Sequence, residues 1–236
     1  VLFASKGNGI ATVWPANAVL VAMLLAQVRP RWGASLPAGL IGSIGAGLLT
    51  HVPVIDSSLY GLVNVVEIAV AAALLRASLG NNALLASPAT VGRFLLIAGI
   101  VAPSVSAGGG ALVTSLTLDQ DFLSSFRIWA WSDGLGLLIF TPLSFALFNG
   151  DVGRGLRAQR WRERTEMLGL LALSLLVAGY VFSSPFPMLF MLFPTVILIA
   201  FRAGRLGTEI AVVLIAAVGA VLTGAGHGPL VAMTPD

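Results

Sequence analysis

Eight long stretches of this chain are apolar and nearly uncharged, which restricts it to a fold that crosses a lipid bilayer several times. Charged residues make up 10% of the sequence, against about 25% in an ordinary soluble domain. A helix needs about 20 apolar residues to cross the hydrocarbon core. The sequence therefore predicts an all-α, polytopic integral membrane helical bundle that forms one domain over residues 1–236. The predicted helices are 12–28, 33–51, 57–79, 90–117, 123–149, 166–183, 187–202 and 206–224.

The basic residues between these helices fall on alternate sides of the membrane. If the helices alternate in direction, Lys6 and Arg127 lie on one side and the other eleven of the 13 Lys and Arg lie on the opposite side. The positive-inside rule makes the arginine-rich side, including loop 154–164, the cytoplasmic face of a bacterial inner membrane. Both ends of the eight-helix array then fall outside. We therefore expect this chain to be the interior portion of a longer, ten-helix protein.

Composition and spacing restrict the possible partners. The basic loop 154–164 is expected to lie beside anionic lipid headgroups, and residues 157–164 are a candidate interfacial helix with Trp161 at headgroup level. No nucleic-acid motif accompanies the loop. The chain has no cysteine, which excludes disulfides, iron–sulfur clusters and thiolate metal sites. The spacing of His51 and His227 does not suggest a metal or haem site, so no cofactor is expected.

Glu67, near the middle of the third predicted helix, is the first candidate functional residue. An ionisable side chain at membrane depth costs several kcal/mol unless it is neutral, paired or hydrated. Asn64 lies three residues earlier and shares its helix face. The pair has two interpretations, either a site that senses a ligand or proton, or a protonated acid that holds neighbouring helices together.

Asp133, about ten residues into the fifth predicted helix, is the second candidate. Trp129 is four residues away on the same face, and the glycines permit close approach by another helix. The residues around Asp133 are Trp129, Trp131, Gly134, Gly136 and Pro142. They have two interpretations: they form a pocket or a hinge, or they are interfacial tryptophans beside a pair of glycines that pack against another helix.

Two further features have structural explanations. Arg127 is expected to form a salt bridge with Asp119 or Asp121, with an anionic ligand as the alternative. The glycines 108–110 follow Pro103 inside an apolar helix and lack the lysine and preceding strand of a nucleotide loop. Pro103 and Gly108 are therefore predicted to permit tight packing or a kink. No catalytic arrangement is evident in the sequence.

Several short motifs occur together in an order that resembles a known bacterial family. The motifs are Trp14-Pro15-Ala16-Asn17, Pro37-Ala38-Gly39, Asn64-Val65-Val66-Glu67, Trp129 to Gly136 with Thr141-Pro142-Leu143, Phe193-Pro194, Phe201-Arg202-Ala203-Gly204 and Gly226-His227-Gly228-Pro229. In these motifs the chain is similar, over nearly its whole length, to the first type of membrane-associated sensor domain (MASE), the membrane input module of many histidine kinases and diguanylate cyclases. The segment Asn17-Ala18 is a departure, because a glycine is common there in the family.

This resemblance implies a sensor that relays a stimulus to a cytoplasmic output domain or a membrane partner, by analogy as a homodimer. We expect Glu67 and Asp133, framed by Trp14, Trp129 and Trp131, to form the polar core that responds. The breaks near Pro103/Gly108 and Gly136/Pro142 are expected to permit two packings. A structural subunit of a membrane complex and a secondary transporter are the alternatives. No inverted repeat supports the transporter.

Overall fold

The computed structural model describes residues 13–27, 31–79 and 84–229, and within these ranges the regular structure is helical with no strand. A π-helical turn, Ile97–Val101, joins the fourth and fifth helices, and a 3-10 turn, Leu189–Met191, precedes the ninth. The α-helices are α1 Pro15–Ala26, α2 Trp32–Leu49, α3 Val54–Leu79, α4 Pro88–Leu96, α5 Ala102–Leu118, α6 Phe122–Phe148, α7 Asp151–Ala158, α8 Trp161–Ser183, α9 Leu192–Arg202 and α10 Gly204–Gly224.

A helix lies at each of the eight predicted apolar positions, which confirms the helical membrane bundle. Six helical stretches in the described part are long and apolar enough to cross a bilayer, and α4, the π turn and α5 form one of them, Pro88–Leu118. The first and seventh predicted helices correspond to the shorter apolar helices Pro15–Ala26 and Leu189–Arg202. Lys6, Arg29 and the predicted break at 80–82 lie outside the described residues.

The basic segment differs from its prediction. Residues 157–164 do not form one helix, because α7 ends at Ala158 and α8 begins at Trp161. Glu163 Oε2 accepts a 2.8 Å hydrogen bond from the Arg160 backbone N–H and so caps the start of α8. The helix therefore starts five residues before the predicted 166. Hydropathy locates the apolar stretch, whereas the capped helix continues into charged residues beyond it.

The first compact unit contains α1 to α6. Helix α1 packs against α3 and α6, α5 packs against α3 and α6, and α2 lies along α3. The core of this unit is rich in alanine, including Ala18, Ala71, Ala72 and Ala102. Small side chains let helix backbones approach closely, which matters in lipid because apolar burial gives little preference for one helix over another.

The second compact unit contains α7 to α10, with α8, α9 and α10 packed on one another. One cluster joins Met167 and Leu171 to Ile199 and Ala211, and another joins Ala178 and Phe182 to Ile215. The Gly-His-Gly-Pro turn follows α10. Gly228 has φ 94°, and a Cβ there would lie 2.4 Å from the Phe182 carbonyl oxygen. Glycine is therefore needed where this turn packs against α8.

Candidate functional site

Two acidic side chains from different helices meet inside the first unit. Glu67 of α3 and Asp133 of α6 are 0% and 2% exposed, and their carboxyl groups are close enough to interact electrostatically. Ser106 of α5 lies between these helices, and its Oγ donates a 2.9 Å hydrogen bond to Asp133 Oδ2. Three helices thus contribute to one buried carboxyl pair.

Asn17 links this pair to α1. Its Nδ2 donates to Glu67 Oε2 and, over 3.0 Å, to Asn64 Oδ1. Its own Oδ1 accepts a 3.2 Å bond from the Trp14 indole N–H. We call Asn17, Asn64, Glu67, Ser106 and Asp133 the polar core; each of them is at most 5% exposed.

The start of α1 is held close to α6 by a backbone contact. Pro15 occupies the first turn of α1, where its lack of an N–H and its fixed φ suit a helix start. The Trp14 N–H donates to the Ser132 carbonyl oxygen over 3.3 Å. A Cβ on Gly136 would lie only 2.1 Å from the Trp14 carbonyl oxygen. Glycine at 136 therefore permits the approach that brings Asn17 to Glu67.

The π turn gives α6 a second close contact. Pro103 has no N–H to donate to the carbonyl of Gly99 four residues earlier. The carbonyl oxygen of Gly99 lies 3.0 Å from the position that a Cβ on Gly134 would occupy. The π turn, Pro103 and Gly134 together set the spacing between the α4–α5 span and α6, and hence the position of Ser106 beside Asp133.

The polar core contains two acids and no cation. Among the described residues, the ion pairs are Arg154–Asp151, Arg202–Glu166 and Arg205–Glu209, and none of them involves Glu67 or Asp133. Glu67 Oε1 is buried and has no hydrogen-bond partner. Two like charges at membrane depth repel and are poorly solvated. This arrangement is thus sensitive to whatever supplies a positive charge or a hydrogen-bond donor.

Comparison with known proteins places this chain in a family. The sequence profile of the MASE1 family matches residues 1–235. The chain belongs to the MASE1 family. It is also 29% identical over 137 residues to the probable diguanylate cyclase DgcE of Escherichia coli (strain K12). That match covers 58% of this chain and 12% of the relative's length. No solved structure matches significantly.

The MASE1 assignment accounts for the absence of a recognisable catalytic motif from the sequence analysis. MASE1 is a sensory input domain of the membrane, linked to output domains such as diguanylate cyclases, and is not itself catalytic. In the described part of this MASE1 domain, no three His, Cys, Asp or Glu side chains are grouped to hold a metal ion. His51 and His227 are exposed beyond the ends of α2 and α10. The multi-pass membrane location is supported by the family and by the apolar helices.

The structure brings some predicted residues into the polar core and leaves others apart. Trp14 joins it through Asn17, as described above. Trp129 instead packs on Tyr60, with ring centroids 5.4 Å apart, and covers Gly110. Trp131 is 72% exposed, on the outside of α6. Trp131 therefore does not frame the acids of this MASE1 domain, whereas Trp129 packs one helical turn from both Asp133 and Ser106.

The remaining predicted residues lie outside the polar core. Gly108 has no neighbouring atom within 4 Å of a built Cβ. Pro142 is buried, and α6 continues through it. Arg127 is exposed and forms no ion pair with the described Asp119 or Asp121.

Asp121 caps α6 instead of forming the expected salt bridge. Its Oδ2 accepts a 2.8 Å hydrogen bond from the Ser124 backbone N–H. The hydrogen bond from this backbone N–H is the main cause that lowers the pKa of Asp121, and the charge of Arg127 contributes least among the causes. In place of the predicted salt bridge, Asp121 therefore forms a helix cap.

Sequence reasoning missed Asn17 and Ser106 as members of the site. Asn17 enters the resemblance only as part of a departure from glycine, and Ser106 is not among the candidate residues. The available signal was the amide of Asn17 three residues after Trp14 in an otherwise apolar helix, a spacing that places both on one face. An amide at membrane depth calls for a partner in the same way as an acid does.

Proposed function

We propose that this MASE1 domain receives a stimulus in the membrane and relays it to a cytoplasmic output domain or partner. The polar core carries the proposal, because it joins α1, α3, α5 and α6 through side chains that are costly to leave unpaired. A stimulus that changes its hydrogen bonding changes the relative free energy of two helix packings. A difference of about 1.4 kcal/mol changes their population ratio tenfold.

A diguanylate cyclase is the first candidate for the output. The support is the similarity to DgcE, a probable diguanylate cyclase, although the match covers only 12% of that protein. A histidine kinase is the other output class expected from the resemblance. Because such outputs usually work as dimers, the domain is expected to act as a homodimer.

The relay is tested by changing the acids without changing their size. In the intact protein, Glu67→Gln and Asp133→Asn should each shift the output activity several-fold in cells, because both alter the bonding between α3 and α6. Asp56→Asn, on the same helix α3 but outside the polar core, is the matched control and should leave output unchanged. Unchanged output, abundance and thermal stability in both core variants would refute the proposal.

The orientation is part of the same proposal. We place the domain in the bacterial inner membrane with loop 154–164 on the cytoplasmic side, beside anionic lipid headgroups. The support is the positive-inside bias together with the unpaired arginines of this loop. Of its five arginines, only Arg154 forms an ion pair with another described side chain. The cytoplasmic side is also where an output domain is needed.

A membrane partner protein is the second candidate route for the signal. Helix α2 has no buried residue, in contrast to α1, α3, α5 and α6. A Cβ on Gly42 or Gly45 would meet nothing within 4 Å, so this helix has room for close backbone contact. Under this alternative, the domain copurifies with a partner in fixed stoichiometry, and Gly45→Leu abolishes copurification while Gly108→Leu does not.

A further inference from the structure

The unbalanced charge of the polar core points to the species that it binds. Neither acid has a cationic partner among the described residues. The guanidinium group of Arg76, on the same helix as Glu67, is instead occupied by carbonyl oxygens at the end of α1. Two buried carboxylates with no cation repel each other and lack solvation, so the stable site includes one added positive charge.

The hydrogen bonds show where one donor is missing. Both hydrogens of the Asn17 amide are used, on Glu67 Oε2 and Asn64 Oδ1, and the Ser106 hydroxyl donates to Asp133 Oδ2. Glu67 Oε1 remains buried without any partner. A proton carried by either carboxyl adds a donor to a site that lacks one, because a protonated acid is a donor as well as an acceptor.

The surrounding helices offer no competing titratable group. Among described residues, α1, α2, the π turn and α5 contain no ionisable side chain, and α4 contains only Arg93, which donates to the Ser78 carbonyl oxygen. On α3, Asp56, Tyr60 and Arg76 are at least seven residues from Glu67, or about 10 Å along the helix. On α6, Arg127 is exposed, six residues from Asp133.

We infer that Glu67 and Asp133 share one bound proton, and that its loss is the event that changes the helix packing. Only the second part of this inference, that loss of the proton changes the helix packing, rests on the proposed function. The proton moves between the carboxyl pair and water, and no other bond is made or broken. With the proton present, α3 and α6 are joined by an acid–carboxylate hydrogen bond. Without it, two like charges face each other, and a packing that separates or hydrates them becomes favourable.

Infrared difference spectroscopy of the intact protein in lipid nanodiscs tests the proton directly. Between acidic and alkaline buffer, the wild type should show the C=O stretch of a buried carboxylic acid that titrates and shifts in deuterated buffer. Glu67→Gln should lose this band, because the Gln amide then donates to an ionised Asp133. Asp133→Asn should lose it for the reciprocal reason. Glu209→Gln, a buried acid of the second unit paired with Arg205, should retain it.

The two variants, together with the addition of sodium, determine whether the site holds a shared proton. Glu67→Gln keeps the size of the side chain and decides the question alone if Asp133→Asn fails to fold. A titrating band that persists in Glu67→Gln overturns the inference, as does a folded wild type without such a band. Loss of the band on adding sodium at constant pH also overturns it, because the site then holds a metal cation.

Output measured in the same proteins distinguishes this inference from the proposed function. If the band is lost in both variants while output is unchanged, the shared proton stands and the relay through this site is refuted. If both variants change output although no titrating band exists, the relay stands and the proton is refuted. A wild-type output that follows the band as pH is varied supports both.

Discussion

The position of Asn17 depends on a close contact between two helices. Asn17 uses both amide hydrogens and its carbonyl oxygen in the polar core, and it reaches Glu67 only because α1 and α6 touch at Gly136. Gly136, which has no side chain, thus allows the polar side chains of Asn17 and Glu67 to meet. The same logic separates Gly136 from Gly108, which lies in a similarly apolar helix but has open space around it.

These two glycines give the first prediction. Gly136→Ala should destabilise the protein by about 1–3 kcal/mol, because the added methyl group overlaps backbone atoms of Trp14 and cannot be accommodated by a side-chain rotation. Gly108→Ala is the matched control and should be neutral or stabilising by up to about 1 kcal/mol, through helix propensity alone. Thermal unfolding in detergent micelles measures both. Equal stabilities of the two variants would contradict the contact between α1 and α6.

Asp121 gives a prediction about pH. Its pKa is lowered by the hydrogen bond from the Ser124 N–H, so the folded state favours the charged form. Its contribution to stability is present above the unfolded pKa of about 3.9 and is lost as pH falls through the lower folded value. The melting temperature of the wild type should therefore fall relative to Asp121→Asn on acidification.

The comparison with Asn isolates the charge, because Asn and Asp cap helices about equally well. Asp121→Ala should be less stable than Asp121→Asn across the pH range, since it loses the cap itself. A melting-temperature difference between wild type and Asp121→Asn that is independent of pH would show that the carboxylate charge does not contribute.

At the scale of helices, α1 depends on a residue from another helix for its end. The last carbonyls of a helix lack partners within it. The guanidinium of Arg76 on α3 donates to the carbonyl oxygens of Leu24, Leu25 and Gln27, the first two over 2.8 Å, and lies 5.2 Å from the Trp32 ring centroid. One arginine therefore joins α1, the segment after it and α2 to α3.

Replacing this arginine gives the third prediction. Arg76→Met keeps a long apolar stem but leaves the carbonyl oxygens without their donor, and it should destabilise the protein by about 1–3 kcal/mol. Arg93→Met, which removes an exposed arginine with one carbonyl partner, should have a smaller effect. Thermal unfolding in detergent micelles measures the difference. Equal effects would mean that the end of α1 is stabilised in another way.

The sequence predicted helices better than it predicted their ends and irregularities. Apolar length located the spans because every residue within lipid must be helical to satisfy its backbone. The predicted start of α8 was wrong because the helix begins at Trp161 and includes charged residues such as Arg162, where hydropathy gives no signal. The π turn at Ile97–Val101 had no signal either, since an extra residue in a uniformly apolar run changes no hydropathy pattern.

At the scale of the whole molecule, the sequence identified the acids and the family resemblance implied that they form one polar core, but neither indicated which helix contacts bring them together. Glu67 and Asp133 stand out because ionisable residues are rare in apolar helices. Which helices are neighbours is decided by contacts such as Gly136 with Trp14 and Gly134 with Gly99, and neither contact is visible without three-dimensional packing. The position of Trp131 was wrongly predicted for the same reason. Sharing a helix with an acid does not determine which neighbour a large side chain meets, and Trp131 faces outward.

The proposed orientation of the chain gives the last prediction. Because these 236 residues contain no cysteine, single cysteines introduced into them can report the side of each loop once any cysteine elsewhere in the intact protein is replaced. Gln120→Cys, in the loop between α5 and α6, should react with a membrane-impermeant maleimide in intact spheroplasts. Ala158→Cys, exposed at the end of α7, should react only after permeabilisation.

Both substitutions lie outside the polar core, so output activity should be retained and confirms that the labelled protein is native. The charge argument makes the expected contrast strong, because the loop of Ala158 contains five arginines that resist transfer across the membrane. The opposite labelling pattern would show that the orientation of the domain is the reverse of the one proposed, with loop 154–164 outside. Labelling of both sites before permeabilisation would place both loops on the same side of the membrane. The single crossing assigned to α6 would then be wrong.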